Sequence, residues 1–468
     1  LSGTLFMNGP ALFQRGEDKL EHSRDADGLI SAITISDGSV WFRNRLVRTR
    51  FFIVEQKAKK FLFRGEFRQL KPGGVGGNAF ILKTKNPSNG NVVIWADRLV
   101  SLCSSKVPYL IDPASLTTSG ESRLGGAIPE SEDGLCALPK VDSNRNVLVA
   151  CSVHKANKTV RFLEFDSNFA VANSRVVSCR GIPYMVDTIA TENYYILFDH
   201  PFSMDQVPVF LGLKSPVQCM KADISKPTKV LIVPRDPTKR VTSIDAAPGQ
   251  FCSRFVNAYE DPDSKQLIVD YISTSAQSLI ESRDPIALDS TLSRMKISLN
   301  QNPSVSTYPI GDMSASMPTI NAKYNGSQYK YAYSLSSRSN SSGTLQRGIQ
   351  RVNVETGEST YYAEDVDELY SAPVYVPKTD AKKEDDGYLL VYAHNLNAKS
   401  VRLLVFSAES IQNGPVCSMD LKCWFPPSLS GSWTDQTWTA DDIKSRTSAF
   451  EIFMSKGWND VNSKFSSF

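Results

Sequence analysis

Cysteine side chains can bind metal ions or react as thiols, and the spacing of the cysteines in this chain excludes several common metal and redox sites. Structural zinc sites and thioredoxin-like redox centres use C-x-x-C pairs, and the sequence contains no such pair. A chain of 468 residues does not need disulfides for stability, so we expect reduced and buried cysteines. The eight cysteines are Cys103, Cys136, Cys151, Cys179, Cys219, Cys252, Cys417 and Cys423.

The stretch MVDTIATENYYILFDHPF (185–202) is the next candidate for chemistry, because an acidic turn precedes an apolar strand. Such a turn is typical of the rim of a metal site. The side chain of Val186, which directly precedes Asp187, cannot coordinate a metal. The stretch therefore raises the question of whether this chain performs redox chemistry.

Two further motifs suggest binding sites but fit them poorly. Asp25 and Asp27 in RDADG (24–28) supply too few oxygen ligands for calcium, and we interpret them as turn formers. The segment KPGGVGGN (71–78) has no Lys-Ser/Thr end, so we predict a flexible loop and no phosphate site.

Composition and charge exclude two classes of protein. The chain has 52 basic and 49 acidic residues and a net charge of +3, which provides no general electrostatic attraction for nucleic acid. No stretch approaches the roughly 18 consecutive apolar residues that a membrane-spanning helix needs. A hydrophobic fraction of 41% is sufficient for a large buried core.

The secondary structure that must position any site is predicted to be almost entirely β. Short runs rich in Val, Ile, Leu, Tyr and Phe alternate with turn residues, and helical periodicity is nearly absent before residue 430. A long all-β chain without a domain-sized linker favours radial repetition, which hides sheet edges, and hence a β-propeller. The runs are 91–103, 146–154, 159–166, 193–199, 266–274, 329–336, 387–395 and 401–409.

The end of the chain differs from the rest. Residues 439–468 begin with a weak capping signature at Thr439 and Asp442, and apolar residues then recur on roughly one helical face. We predict a short helical tail over 434–468, following a propeller over 1–433. This tail packs on its own propeller or, through residues 439–468, docks onto a protein partner.

Several blocks, in order, resemble the carotenoid cleavage oxygenase family. They include GTLFMNGPALFQRG (3–16), HSRDADGLISAITISDGSVWFRNRLVRT (22–49), VPYLIDPASLTT (107–118) and ATENYYILFDHPF (190–202). The resemblance continues to SGSW (430–433). It implies a seven-bladed propeller with an axial metal site, a cap of loops and short helices, and an apolar tunnel.

The chemistry of that family depends on four histidines that hold one ferrous iron. The family motifs A-H-P-K, H-D-x-x-x-T-E-N-Y, H-x-x-N-x-[YW]-E and H-G-x-W are present here without their histidines. An alkyl group cannot bind iron, and an arginine places a permanent cation where a dication would lie. The four corresponding positions are Leu138, Val186, Arg254 and Ser430.

The residues that would orient those ligands have changed as well. In the family, glutamates accept the second ring N–H of the ligands. The corresponding positions here are Ser104, Ala372 and Arg402. The resemblance therefore predicts a protein without iron and without iron-dependent dioxygenase activity.

Some polar side chains remain that could face the former metal cavity. We expect Arg254, Arg402, Asp187 and Glu260 to be such groups. A buried guanidinium needs a partner, either an internal acid such as Asp187 or Glu260, or an anion or carbonyl oxygen of a ligand. Cys136, Cys151 and Cys252 lie beside the lost ligand positions and are expected to be small buried hydrophobes.

Three functions remain open. The first is a non-oxygenase relative that binds a carotenoid or other isoprenoid, or that serves as a structural subunit of a larger assembly. The second is a metal-independent isomerase, hydratase or cyclase acting on a polyene. The third, an iron-dependent dioxygenase, conflicts with the lost histidines. No cofactor is expected, a peripheral membrane contact is plausible, and a plastid location follows only by analogy with the family.

Overall fold

In a computed structural model, the chain folds into a seven-bladed β-propeller with a cap on one face. The predicted fold class is therefore confirmed. The structure describes residues 1–184, 187–249, 251–276, 280, 290–300, 303–337, 347–364, 367–439 and 441–442.

The first blade joins the two ends of the propeller. Its strands, from the axis outward, are Ser430–Thr434, Gly3–Leu12, Asp27–Ser36 and Ser39–Leu46. The last strand pairs with the first in antiparallel register, so that Asn8 lies opposite Ser430. This pairing closes the ring: the strand Gly3–Leu12 is paired on both edges, and the strand Ser430–Thr434 is paired on one.

The other six blades follow one another along the chain. Blade 2 contains Asn91–Trp95, Arg98–Leu102, Tyr109–Ile111 and Thr118–Glu121; blade 3 contains Gly134–Leu135, Lys140–Asp142, Val147–His154, Thr159–Phe165 and Val171–Ser178; blade 4 contains Ile189–Ala190, Tyr194–Asp199, Pro227–Pro234 and Thr242–Pro248. Blade 5 contains Phe251–Glu260, Gln266–Thr274, Ser290–Ser298 and Ser304–Ser314; blade 6 contains Ser316–Thr319, Tyr331–Ser336, Gly348–Asn353 and Ser359–Tyr362; blade 7 contains Glu368–Tyr370, Val374–Pro377, Gly387–Asn395, Ser400–Ser407 and Cys417–Asp420.

The first strand of each blade lies next to the propeller axis. Phe251–Glu260 of blade 5 contacts Ile189–Ala190 of blade 4 on one side and Ser316–Thr319 of blade 6 on the other. Apolar side chains fill the space between blades: Ile232 of blade 4 and Val269 of blade 5 belong to one buried cluster. Each such side chain contributes about 1.5–3 kcal/mol by leaving water.

Short helices and hairpins form the cap. The helices are Arg50–Ala58, Gly74–Asn78 and Gln206–Phe210, and the 3₁₀ turns are Ser23–Asp25, Leu124–Gly126, Val217–Cys219, Ala322–Tyr324 and Ile411–Asn413. Two hairpins pair Gln14–Arg15 with Asp18–Lys19 and Phe202–Met204 with Met220–Ala222. Within the described ranges, no helix has the length and apolar character needed to cross a membrane.

Two local predictions need correction. The apolar run 91–103 is two strands, because Ala96 and Asp97 both have positive φ and form a tight hairpin turn. The segment 71–78 contains the helix Gly74–Asn78 where a flexible loop was predicted. The buried Asn78 side chain fixes it by accepting from the N–H of Lys71 at 2.8 Å and donating to the Lys71 and Gly74 carbonyls, both at 2.8 Å.

The predicted tail boundary is close to the end of the last strand, Ser430–Thr434. Trp438 still packs against the propeller, with its ring 5.5 Å from that of Phe6. The predicted tail helix lies outside the described residues, apart from residues 439 and 441–442.

Candidate functional site

Three of the four former ligand positions lie on or beside the innermost strands. Leu138 follows the strand Gly134–Leu135, Arg254 is in the first strand of blade 5, and Ser430 begins the strand that closes the ring. All three are half-buried. The fourth, Val186, lies outside the described residues.

The residues present there do not fit an iron held by imidazoles. Leu138 packs with its alkyl group against the apolar cluster between blades 2 and 3. A guanidinium and a hydroxyl at the other two described positions offer a repelling cation and a weak oxygen donor. In the part of the chain that the structure describes, no three His, Cys, Asp or Glu side chains are grouped to hold a metal ion. We derive no step through iron.

The histidines are engaged elsewhere in the fold. His200 Nε2 accepts from the N–H of Cys252 at 3.2 Å, its Nδ1 lies 3.0 Å from Thr228 Oγ1, and burial lowers its pKa to about 3. His394 donates through Nδ1 to the Phe425 carbonyl at 3.0 Å, and burial lowers its pKa to about 3 as well. Both rings are therefore neutral, structural groups in separate blades.

Asp187 lies at the axis beside the former second ligand position. Its carboxylate oxygens accept from the N–H of Thr188 at 2.6 Å and from the N–H of Phe255 at 2.7 Å. Burial raises the pKa of this carboxyl, and the charges of Lys140 and Arg254 act in the opposite direction. Asp187 and Arg254 therefore form one axial cluster with Lys140 of blade 3.

The other candidate residues lie apart from this cluster. The guanidinium of Arg402, in the strand Ser400–Ser407, pairs with Glu364 at 2.8 Å and with Glu368, which begins the first strand of blade 7. Glu260, at the end of the first strand of blade 5, accepts from Thr191 Oγ1 and from the N–H of Asn193, both at 2.7 Å. These contacts do not involve Arg254 or Asp187, so the structure does not bring Arg402 and Glu260 into the axial cluster with which they were expected.

The remaining former support positions carry no charge. Ser104 is half-buried in the loop after the second strand of blade 2. Ala372 is buried, and its N–H donates to the Ser428 carbonyl at 3.2 Å. Ala372 has no side-chain acceptor for an imidazole N–H, and Ser104 offers a neutral hydroxyl in place of a carboxylate.

The cysteines near the axis form a buried polar contact with a threonine. Cys136 Sγ lies 2.8 Å from Thr188 Oγ1, and Thr188 Oγ1 donates to Cys151 Sγ at 3.4 Å. Burial raises the pKa of Cys252 well above its ordinary value. All eight cysteines are among the described residues and are free thiols. Four of them, Cys136, Cys151, Cys219 and Cys252, are buried, whereas Cys103, Cys179 and Cys423 are half-buried and Cys417 is exposed.

A cavity of about 1180 Å³ lies between the cap and blades 2 and 3. One wall is apolar and includes Ile182, Val209, Val217 and Met220. Tyr184 also lines this space and is itself buried. The size exceeds the roughly 300–1,000 Å³ typical of sites for small organic ligands.

The cavity lining also carries an ion cluster that the sequence did not suggest, next to the apolar residue Val217, whose N–H donates to the Glu66 carbonyl at 3.0 Å. Glu66 binds Lys155 at 2.5 Å and Lys106 at 3.1 Å, and Lys106 Nζ donates to Thr84 Oγ1 at 2.5 Å. Burial opposes ionisation of Glu66, but the two ammonium groups outweigh it and lower its pKa to about 2. Because these residues come from three separate loops, no motif marks them.

Exposed apolar side chains surround the cap side of the cavity. Phe80, Leu82, Val207 and Phe210 are 69%, 61%, 64% and 45% exposed. The rings of Phe80 and Phe210 meet edge to face, with centroids 4.7 Å apart. Three of these four residues, Leu82, Val207 and Phe210, also line the cavity. The patch is therefore continuous with the cavity wall.

Comparison with known proteins agrees with this architecture. The family described as retinal pigment epithelial membrane protein matches residues 1–435. The apocarotenoid-15,15'-oxygenase of Synechocystis is 26% identical over 447 residues, which are 92% of this chain and 90% of that protein. The lignostilbene-alpha,beta-dioxygenase isozyme III of Sphingomonas paucimobilis is 24% identical, with coverage of 88% and 86%.

Solved structures show the same relation. The cobalt-substituted Synechocystis apocarotenoid oxygenase superimposes with a TM-score of 0.87 at 26% identity, and the match covers 93% of each chain. A variant of that enzyme gives the same values. With its seven blades, its cap and its match over nearly the whole propeller, this chain belongs to the carotenoid cleavage oxygenase family, the family of the retinal pigment epithelial membrane protein.

Proposed function

We propose that this protein is a non-oxygenase member of its family that binds a carotenoid, an apocarotenoid or another isoprenoid without iron. The observation that carries the proposal is the combination of two features. Leu138, Arg254 and Ser430, at the positions that the resemblance assigns to iron ligands, offer donors that do not suit iron and lie on or beside the innermost strands. The chain also has a cavity of about 1180 Å³ under the cap.

The relatives indicate the class of ligand. One of them is named as an apocarotenoid oxygenase, and its fold matches this chain over 93% of both chains. The apolar wall of the cavity offers burial to a polyene chain, and each buried CH₂ contributes about 0.8 kcal/mol. The Glu66 cluster belongs to the same lining, so the cavity offers charged as well as apolar groups to a ligand with one polar end.

The test combines metal analysis with ligand binding on the full chain. After incubation with ferrous iron, we expect less than about 0.1 iron per chain, whereas all-trans-retinol should quench tryptophan fluorescence saturably. Ile182→Trp fills the apolar wall and should weaken retinol binding at least tenfold. Val416→Trp, at a position 63% exposed and outside the cavity, is the matched control. Iron near one equivalent, or binding unaffected by Ile182→Trp, would overturn the proposal.

A metal-free enzyme acting on a polyene is the second candidate, and Arg254 is the observation that favours it. A guanidinium at the axis could polarise a carbonyl or stabilise negative charge during isomerisation, hydration or cyclisation. Turnover of a polyene aldehyde by metal-stripped protein, lost in Arg254→Ala, would establish this activity. Binding without turnover would leave the carrier function.

The exposed apolar patch supports a further part of the proposal, a peripheral contact with a membrane. Side chains such as Phe80 and Phe210 gain by entering the acyl boundary of a bilayer. The wild-type protein should float with phosphatidylcholine vesicles, and the double substitution Phe80→Ser, Phe210→Ser should reduce the bound fraction at least fivefold. Val416→Ser is the control. Equal flotation of all three proteins would exclude this contact.

A further inference from the structure

Arg254 is a cation that the protein itself leaves without a direct partner. It lies in the first strand of blade 5, where the pairing register shifts between Cys252 and Arg254. Among the described residues, none forms a hydrogen bond or ion pair with its guanidinium; only longer-range charge interactions reach it. It is half-buried, so solvent compensates its charge only in part.

The nearest acid cannot fully neutralise this cation. Asp187 uses one carboxylate oxygen on the N–H of Thr188 and the other on the N–H of Phe255. It also faces Lys140, whose Nζ lies 3.5 Å from the Phe255 carbonyl. The axis therefore holds two cations against one carboxylate.

A third cation approaches from the cap. Burial lowers the pKa of Arg254 to about 10, the charge of Asp187 opposes this, and the charge of Arg24 adds to it. Arg254 thus remains protonated at neutral pH. Arg24 also acts on Tyr184, whose side chain lines the cavity. The charge of Arg24 therefore acts both on the axial cluster and on a residue of the cavity wall.

We infer that the propeller axis is a carboxylate-binding site, with Arg254 as its bidentate ligand and Lys140 as its second cation. A planar guanidinium matches a carboxylate through two parallel N–H···O bonds, and such charge-assisted pairs are among the strongest in proteins. The carboxylate is either the terminal group of an apolar chain or a small free acid. A carboxylate at the end of an apolar chain rests on the proposed function, whereas a small free acid does not.

The experiment uses the full chain, its Arg254→Gln and Arg254→Lys variants, and Arg402→Gln as a control, because Arg402 has its own acidic partners. Three probes are titrated: all-trans-retinoic acid, all-trans-retinol and sodium acetate. Circular dichroism verifies that each variant is folded. Wild type should bind the acid at least tenfold more tightly than the alcohol.

Arg254→Gln should abolish that preference, and Arg402→Gln should keep it. Arg254→Lys should retain part of the preference, because it keeps the charge but loses the planar fork. Acetate binding that is lost only in the Arg254 variants, without preference for retinoic acid, would identify a small free acid as the occupant.

Two outcomes distinguish failure of this inference from failure of the proposed function. Equal binding of acid and alcohol by wild type, with no acetate binding, overturns the carboxylate site and leaves the carrier function intact. If neither polyene binds, the carrier function fails, and the acetate titration alone decides the carboxylate site.

Discussion

Two buried groups of charges, one under the cap and one at the axis, are organised in opposite ways. Under the cap, two cations and two carboxylates form a closed square in which every charge faces two of opposite sign. Its contacts are Arg15–Asp27 at 2.9 Å, Arg15–Glu55 at 3.7 Å, Lys85–Asp27 at 2.8 Å and Lys85–Glu55 at 2.7 Å. All four side chains are at most 4% exposed.

At the axis, Arg254 and Lys140 share the single carboxylate of Asp187, which is already bound by two backbone N–H groups. No described residue forms a direct ion pair with Arg254. In the cluster under the cap, positive and negative charges are equal in number and each is paired within the protein. The axial cluster has one more cation than carboxylates, and Arg254 has no direct ion pair there.

This difference in pairing distinguishes charges that stabilise the fold from charges that a ligand can pair with. Buried ions are tolerated when they are paired, and the square under the cap meets that condition within the protein. The axial cations are only partly paired by Asp187, and an external anion would supply the missing negative charge.

The largest effect is expected from opening the square. Lys85→Met leaves Asp27 and Glu55 to share Arg15, so one buried carboxylate is uncompensated. The free energy of unfolding should fall by about 3–5 kcal/mol, measured by urea denaturation at neutral pH. Lys378→Met, which removes a pair with an exposed lysine, should cost about 1 kcal/mol or less. Similar losses of unfolding free energy in both variants would show that the four buried charges of the square contribute no more to stability than an exposed ion pair.

A smaller, pH-dependent effect is expected at the cavity wall. Glu66 has a pKa of about 2 in the folded protein, against an ordinary value of 4.5, because Lys106 and Lys155 outweigh the opposing effect of burial. A lowered folded-state pKa stabilises the protein above about 4.5, and this contribution is lost as the pH falls towards about 2.

Glu66→Gln should therefore reduce the free energy of unfolding by roughly 2–3 kcal/mol at pH 7. The difference from wild type should shrink as the pH falls from 4.5 to 3, as measured by urea denaturation across that range. Glu130→Gln, whose carboxylate is 89% exposed, serves as the control and should show little difference at any pH. A pH-independent difference for Glu66→Gln would indicate lost packing instead of lost charge pairing.

The sequence predicted the propeller well because strand periodicity and the ordered family blocks are local signals. It could not predict the charge clusters, because they join residues that are distant along the chain. Asp27, interpreted as a turn former, lies at the start of a strand and is fully buried against Arg15 and Lys85. No local pattern shows that a carboxylate at that position meets two cations from other segments.

The candidate site was predictable in part for the same reason. Motif order placed Leu138, Arg254 and Ser430 on the inner strands. By contrast, Arg402 was expected near the axis and instead pairs with Glu364 and Glu368. A shift of a residue or so in a strand moves a side chain to the opposite face, so an alignment of that accuracy cannot fix which way it points.

The smallest effect is expected from removing the axial cation itself. In ligand-free protein, Arg254→Gln should change the free energy of unfolding by no more than about 1 kcal/mol, and the variant should be as stable as wild type or slightly more stable. The reason is that an incompletely paired, half-buried charge contributes a desolvation cost with little compensating attraction.

The matched control is Arg294→Gln in the same blade, because Arg294 holds Asp270 through two contacts of 2.8 and 2.7 Å. That control should lose about 3–5 kcal/mol in the same urea titration. A comparable loss for Arg254→Gln would mean that Arg254 is as fully paired as Arg294, and the contrast between the axis and the cap would then disappear.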